Sequence, residues 1–115
     1  MMTGTYVYCQ TRFEGFHQWP EAPEEVSYLR EMHRHEFRVK VVVKVNHDNR
    51  DVEFITLKNH TNQIIKTGKS KGGWTGQLSC EQIANAIIGK LLDRRYQVHS
   101  VEVSEDGENG SIVVC

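Results

Sequence analysis

The sequence lacks what a disulfide framework needs. Its three cysteines, Cys9, Cys80 and Cys115, are an odd number set far apart with no C-x-x-C, so neither a cystine scaffold nor a thiolate zinc site is read from them. Long apolar runs are missing too. The most apolar stretch, Val39 to Val45, is short and broken by lysines, too little to span a membrane. The opening Met-Met-Thr-Gly-Thr-Tyr has no basic region followed by an apolar one, so no secretory signal is read and a cytoplasmic protein is expected. Nor is there an excess of charge of one sign. A net charge of −1 leaves no basic footprint, which argues against nucleic acid as a main partner. No internal repeat or low-complexity tract interrupts the chain. What is present, 115 residues with 38% hydrophobic and 25% charged side chains, suits a single domain over 1–115 with one modest core.

The richest stretch runs from Met32 to Val45. One parity reads His33, His35, Phe37, Val39, Val41, Val43, Val45; the other reads Arg34, Glu36, Arg38, Lys40, Val42, Lys44. That is a strand with one buried and one wet face. Side chains at i and i+2 point the same way, so both imidazoles fall on the valine face, at the rim of the core. Such a pair can be metal ligands, because neutral imidazole binds zinc. It can equally be one packed ring and one locally hydrogen-bonded ring, the reading that needs fewer assumptions for H-x-H alone.

Before it, Thr5 to Phe13 alternates and reads as the first strand. Gly15 permits a bend or bulge and Pro20 excludes a continuing central strand, which leaves His17 just past a strand end. His17 there is either an ordinary loop residue or a ligand aimed into a pocket. Glu21 to Met32 reads as a polar loop with a helical turn around Glu24 to Leu29.

After the long strand, Asn46 to Asp51 is a cluster of turn formers, with His47 exposed. Asn49 or Asp51 can cap an amphipathic helix over Val52 to Lys66, with Phe54 and Leu57 in the core and His60 off the apolar stripe, in solvent. Thr67 to Leu78 reads as a flexible loop rich in glycine and lysine, in the wrong order for a phosphate-binding P-loop. Ser79 and Gln82 form a capping box, followed by the apolar stripe Ile83, Ala84, Ile87, Ile88, Leu91, which predicts a helix to about Arg94. Cys80 in its first turn reads as a small buried thiol. Tyr96 to Glu105 alternates again, with His99, Val101, Val103 and Glu105 on one face. A carboxylate on that buried parity needs a donor from the protein or from a ligand. Asp106 to Gly110 is a turn and Ser111 to Val114 a last strand. The order is strand, strand, helix, helix, strand, strand, which predicts an α+β fold: a four-stranded antiparallel sheet with two helices on one face. Two free edges predict a homo-oligomer formed by edge pairing.

Several pieces together resemble the 6-pyruvoyltetrahydropterin synthase and 6-carboxytetrahydropterin synthase family, which has the T-fold. Its F-x-A-A-H after the first strand is similar to Phe13-Glu14-Gly15-Phe16-His17. Its L-H-G-H-N-[YF] is similar to Met32-His33-Arg34-His35-Glu36-Phe37. Its P-T-[SA]-E-N-x-A at a helix start is similar to Leu78-Ser79-Cys80-Glu81-Gln82-Ile83-Ala84, and its V-x-V-x-E-[TS] to Val101-Glu102-Val103-Ser104-Glu105-Asp106. The resemblance covers nearly the whole chain, in order. It implies that His17, His33 and His35 hold one zinc ion (Zn2+), that Glu105 accepts from the N–H edge of a pterin or guanine-like ring, and that subunits assemble as trimers pairing into hexamers.

The departures are specific. The family's catalytic cysteine, four residues before H-x-H, is replaced by Leu29, and its D-H-x-x-L-N segment falls where this chain has the glycine and lysine loop. The chain therefore resembles a divergent member lacking the usual proton-transfer set. Three functions stand open: a zinc-dependent lyase acting on a phosphorylated dihydropterin, a binding module that sequesters a pterin or guanine-like nucleotide, and a structural oligomer. His60 and Cys80 are the candidate substitutes for the missing groups if the fold brings them to the site.

Overall fold

The computed structural model describes residues 4–70 and 76–115. Its elements are β1 (Tyr6–His17), a short 3-10 helix (Glu24–Arg30), β2 (His33–Lys44), α1 (Phe54–Ser70), α2 (Cys80–Asp93), β3 (Gln97–Glu105) and β4 (Asn109–Val114). The strands form one sheet in the order β1-β2-β3-β4, with every neighbouring pair antiparallel. The α+β architecture expected from the alternation is the one found. No helix among the described residues is long and apolar enough to cross a membrane.

Period-two alternation sorts the sheet into two faces. Cys9 and Phe13 of β1, Phe37, Val39, Val41 and Val43 of β2, and Val101 and Val103 of β3 are buried and meet the helices. On α2, Ile83, Ile87 and Leu91 are fully buried; on α1, Leu57, Thr61, Ile64 and Ile65 form the inward stripe. The opposite sheet face carries exposed Tyr6, Tyr8 and Phe16. Ser79 caps α2 as expected: its side chain accepts from the Gln82 N–H while the Gln82 side chain accepts from the Ser79 N–H.

Five expectations need correction. First, β1 does not stop at Phe13. Gly15 stays in register opposite His35 and the strand runs on to His17, so the glycine makes no bulge. Second, Phe54 is 56% exposed. Helical side chains tilt toward the N-terminus, so this first-turn ring points past the packed part of α1. Third, the cap of α1 is Glu53, whose Oε1 accepts from the N–H of Ile55 and Thr56; Asp51 instead accepts from Asn46 N–H. Fourth, α1 continues through Thr67 to Ser70, residues read as loop, and Lys71, Gly72, Gly73 and Trp74 lie outside the described residues. Fifth, β3 carries a bulge. Val42 pairs with Ser100 but Val43 pairs with Val98, leaving His99 as the extra residue. The extra residue flips the parity. Val98 is buried, His99 is exposed, and the inward set resumes at Val101.

Candidate metal centre

Strand register builds the site. His17 at the end of β1 pairs with His33 at the start of β2, and His35 follows two residues on, on the same inward face. Gly15, opposite His35, puts no side chain between them. The three rings pack edge to face, with centroids 4.5 Å apart for His17 and His33, 5.1 Å for His17 and His35, and 4.7 Å for His33 and His35. One ring nitrogen of each lies within 4.8 Å of those of the other two. The three candidate ligands read from scattered places in the sequence are thus brought together.

Each ring is held from behind. His33 Nδ1 lies 2.8 Å from the Glu31 carbonyl, His35 Nδ1 lies 2.7 Å from Asp106 Oδ2, and His17 Nδ1 lies 3.4 Å from the Leu78 carbonyl. A carbonyl or carboxylate oxygen only accepts, so Nδ1 is the donor in each contact, and in a neutral ring the lone pair is then on Nε2. The Nε2 atoms of His33 and His35 are buried with no hydrogen-bond partner among the described residues. Burial also holds the His17 imidazole below its usual range, against the opposing pull of the Glu105 carboxylate. Three imidazoles with Nδ1 held by outer acceptors and one nitrogen each within 4.8 Å of the others are, when neutral, the kind of donor set that zinc takes in three-histidine sites.

The turn after β3 brings two carboxylates to this cluster. Glu105, the last residue of β3, faces inward opposite Phe37. Its Oε2 lies 3.0 Å from His35 Nε2 and its Oε1 lies 3.5 Å from His17 Nε2. The tight turn beyond it has Asp106 and Gly107 both at positive φ, 58° and 73°. That is the Asp-Gly signature of a hairpin turn whose twist matches the strands. In this turn the Asp106 N–H donates to the Glu36 carbonyl and its Oδ1 accepts from the Glu36 N–H, so the carboxylate is clamped beside His35. The Glu36 amide and His35 together hold the Asp106 carboxyl below its ordinary range.

Of the two candidate substitutes, one reaches the site. Cys80 donates to Glu105 Oε1 across 3.8 Å, and burial, followed by the neighbouring Glu105 and Glu81 charges, pushes its thiol up to about 12. His60 does not reach it. Rather than facing solvent, it is half-buried and hydrogen-bonded to the Tyr96 hydroxyl at 2.6 Å, near the opposite end of β3. Glu81 stays outside, where its Oε1 accepts from the Ser111 hydroxyl. Lys69 lies over the Phe13 ring rather than in the histidine cluster. Asp106 was legible only as a turn former; the hint was its place directly after an inward carboxylate.

No protein-family model and no curated protein matches the chain. Among solved structures it is similar to the crystal structure of an uncharacterized protein from Wolinella succinogenes, with a TM-score of 0.72 and 13% identity, covering 98% of this chain and 99% of that one. At that identity the likeness shows a shared fold and nothing about activity: an α+β chain with a four-stranded antiparallel sheet and two helices.

Proposed function

We propose that the chain is a divergent T-fold protein of the pterin-synthase type that holds one zinc ion on His17, His33 and His35 and captures a pterin or guanine-like ring beside it. The observation that carries this reading is the anchoring of the rings. Each of the three Nδ1 atoms is tied to an outer oxygen, the Nε2 atoms of His33 and His35 are buried without a hydrogen-bond partner among the described residues, and one nitrogen of each ring lies within 4.8 Å of the others. Zinc bound there would polarise an oxygen of the captured molecule. The Glu105 carboxylate supplies the acceptor that the paired N–H groups of a 2-amino-4-oxo pyrimidine edge require.

Capture without turnover is the reading we favour. Proton transfer needs a positioned acid or base. Among the described residues, the Cys80 thiol is turned to Glu105 and His60 is engaged with Tyr96. The two outer strands, β1 and β4, support assembly by edge pairing, as a trimer or hexamer.

Metal analysis of the purified protein tests the first part: about one zinc per chain is expected for a three-histidine site, falling sharply in His33→Ala. Incubation with dihydroneopterin triphosphate tests the second. Retention without product, lost in Glu105→Ala, is the expected result; turnover would make the protein a lyase instead. Light scattering that gives a monomer would remove the assembly.

A further inference from the structure

We propose that Glu105 is the fourth ligand of the same ion, so that the site is three imidazoles and one carboxylate before any small molecule arrives. This rests on the three-histidine reading above and assigns Glu105 a role prior to ligand capture.

Distance is the first support. Two atoms bound to one tetrahedral zinc at about 2.0–2.1 Å each are roughly 3.3 Å apart. Glu105 Oε2 lies 3.0 Å from His35 Nε2 and its Oε1 lies 3.5 Å from His17 Nε2, so each of the two oxygens approaches one of the rings at near that value.

Lone-pair chemistry is the second. An ionised carboxylate offers only acceptors, and so does Nε2 of a ring whose Nδ1 carries the proton. Acceptors facing each other at such range repel unless a cation serves both. A proton on His35 Nε2 would lie along a hydrogen bond to the carboxylate. Yet that nitrogen has no hydrogen-bond-aligned partner among the described residues, despite the 3.0 Å approach. A metal ion accounts for both facts. Held by the ring nitrogen and the carboxylate oxygen together, it would give both sets of lone pairs a common partner.

The carboxylate is also held for this task. It ends β3 on the inward face, the Asp106-Gly107 turn fixes the backbone directly after it, and the Cys80 thiol donates to Oε1. A ring edge that takes both carboxylate oxygens as acceptors would compete with the ion for the same lone pairs. Capture of a ring through Glu105 would therefore free the fourth position for an oxygen of the incoming molecule.

Cobalt(II) loaded in place of zinc tests the proposal, because its visible absorption reports the number and type of ligands. In the full chain, Glu105→Gln is expected to shift that spectrum and weaken cobalt and zinc binding by at least about 10-fold, the lower end of what even an outer-shell partner contributes. The amide keeps the shape of the side chain and an acceptor for Cys80, and circular dichroism of the metal-free variant checks the fold. Where the amide variant fails to fold, Glu105→Asp decides: its shorter reach alters the spectrum only if the carboxylate binds the ion. Wild-type protein that takes up metal while both variants keep its spectrum and affinity overturns this proposal alone. Wild-type protein that takes up no metal overturns the three-histidine reading and this one with it.

Discussion

His35 Nδ1 donates to Asp106 Oδ2 across 2.7 Å, and that contact joins the start of β2 to the turn between β3 and β4. Asp106 has φ of 58°, a left-handed conformation that asparagine also adopts readily. Asp106→Asn therefore removes the charge without straining the turn. Loss of an outer carboxylate from a metal-binding histidine costs roughly 10- to 100-fold in affinity. That loss is expected in competition titrations against a zinc-binding dye, with a small loss of stability in the metal-free protein, because the amide keeps only one of the two acceptor oxygens that hold Glu36 N–H and His35 Nδ1. Equal affinity in the variant would make the contact a purely structural clamp.

Metal should also hold the chain together. A ligand that binds only the folded state at 100 times its dissociation constant stabilises it by about 2.7 kcal/mol. Chelation is expected to lower the melting temperature of the wild type and to leave that of His33→Ala where it was. A wild-type melting curve indifferent to chelator would mean that the rings hold nothing.

Thiol chemistry gives an independent check on packing. Cys9 and Cys80 are buried and Cys115 is exposed. One thiol per chain should react quickly with a disulfide reagent in native protein, and all three after denaturation. A second fast thiol would mean that α1 over Cys9 or α2 at Cys80 is wrongly placed. Burial also pushes the Cys9 thiol above 9.0, its ordinary value. Its folded pKa then exceeds its unfolded one, so the folded chain keeps a proton that the unfolded chain sheds. This contribution is complete below about pH 9 and is lost as pH climbs through the raised value.

The capping box of α2 is expected to contribute measurably. Ser79→Ala should cost about 1 kcal/mol in urea denaturation. Leu91→Ala, at a fully buried position, should cost about 2–5 kcal/mol. The order of the two losses checks the design of this helix: a tuned end on a heavily packed stripe. If the cap variant were the worse of the two, the stripe would not be core.

The sheet was legible because period two is unambiguous over His33 to Val45, and the capping box because Ser79 and Gln82 are three residues apart. His17, His33 and His35 were legible as candidates, but only pairing of β1 with β2 shows that they meet. Other features were hidden for physical reasons. Gly15 permits a bulge and equally permits a flat strand with room for the His35 ring; its neighbours in space decide. Phe54 has the right spacing for the core and the wrong place along the helix. Asp106 is a good turn residue on composition alone, and its grip on His35 depends on a partner 71 positions away in sequence. The site is thus visible as residue types and invisible as contacts.

The bulge at His99 acts as a phase shifter for β3. On its Val98 side the strand is timed to the packing of the sheet; on its Glu105 side it is timed to the histidines. Removing the one surplus residue would put the two timings in conflict. Either a valine would be driven out of the interior or the glutamate would rotate to the uncovered side of the sheet. A single codon, outside the His17, His33 and His35 cluster, therefore governs whether the carboxylate can meet those three rings at all.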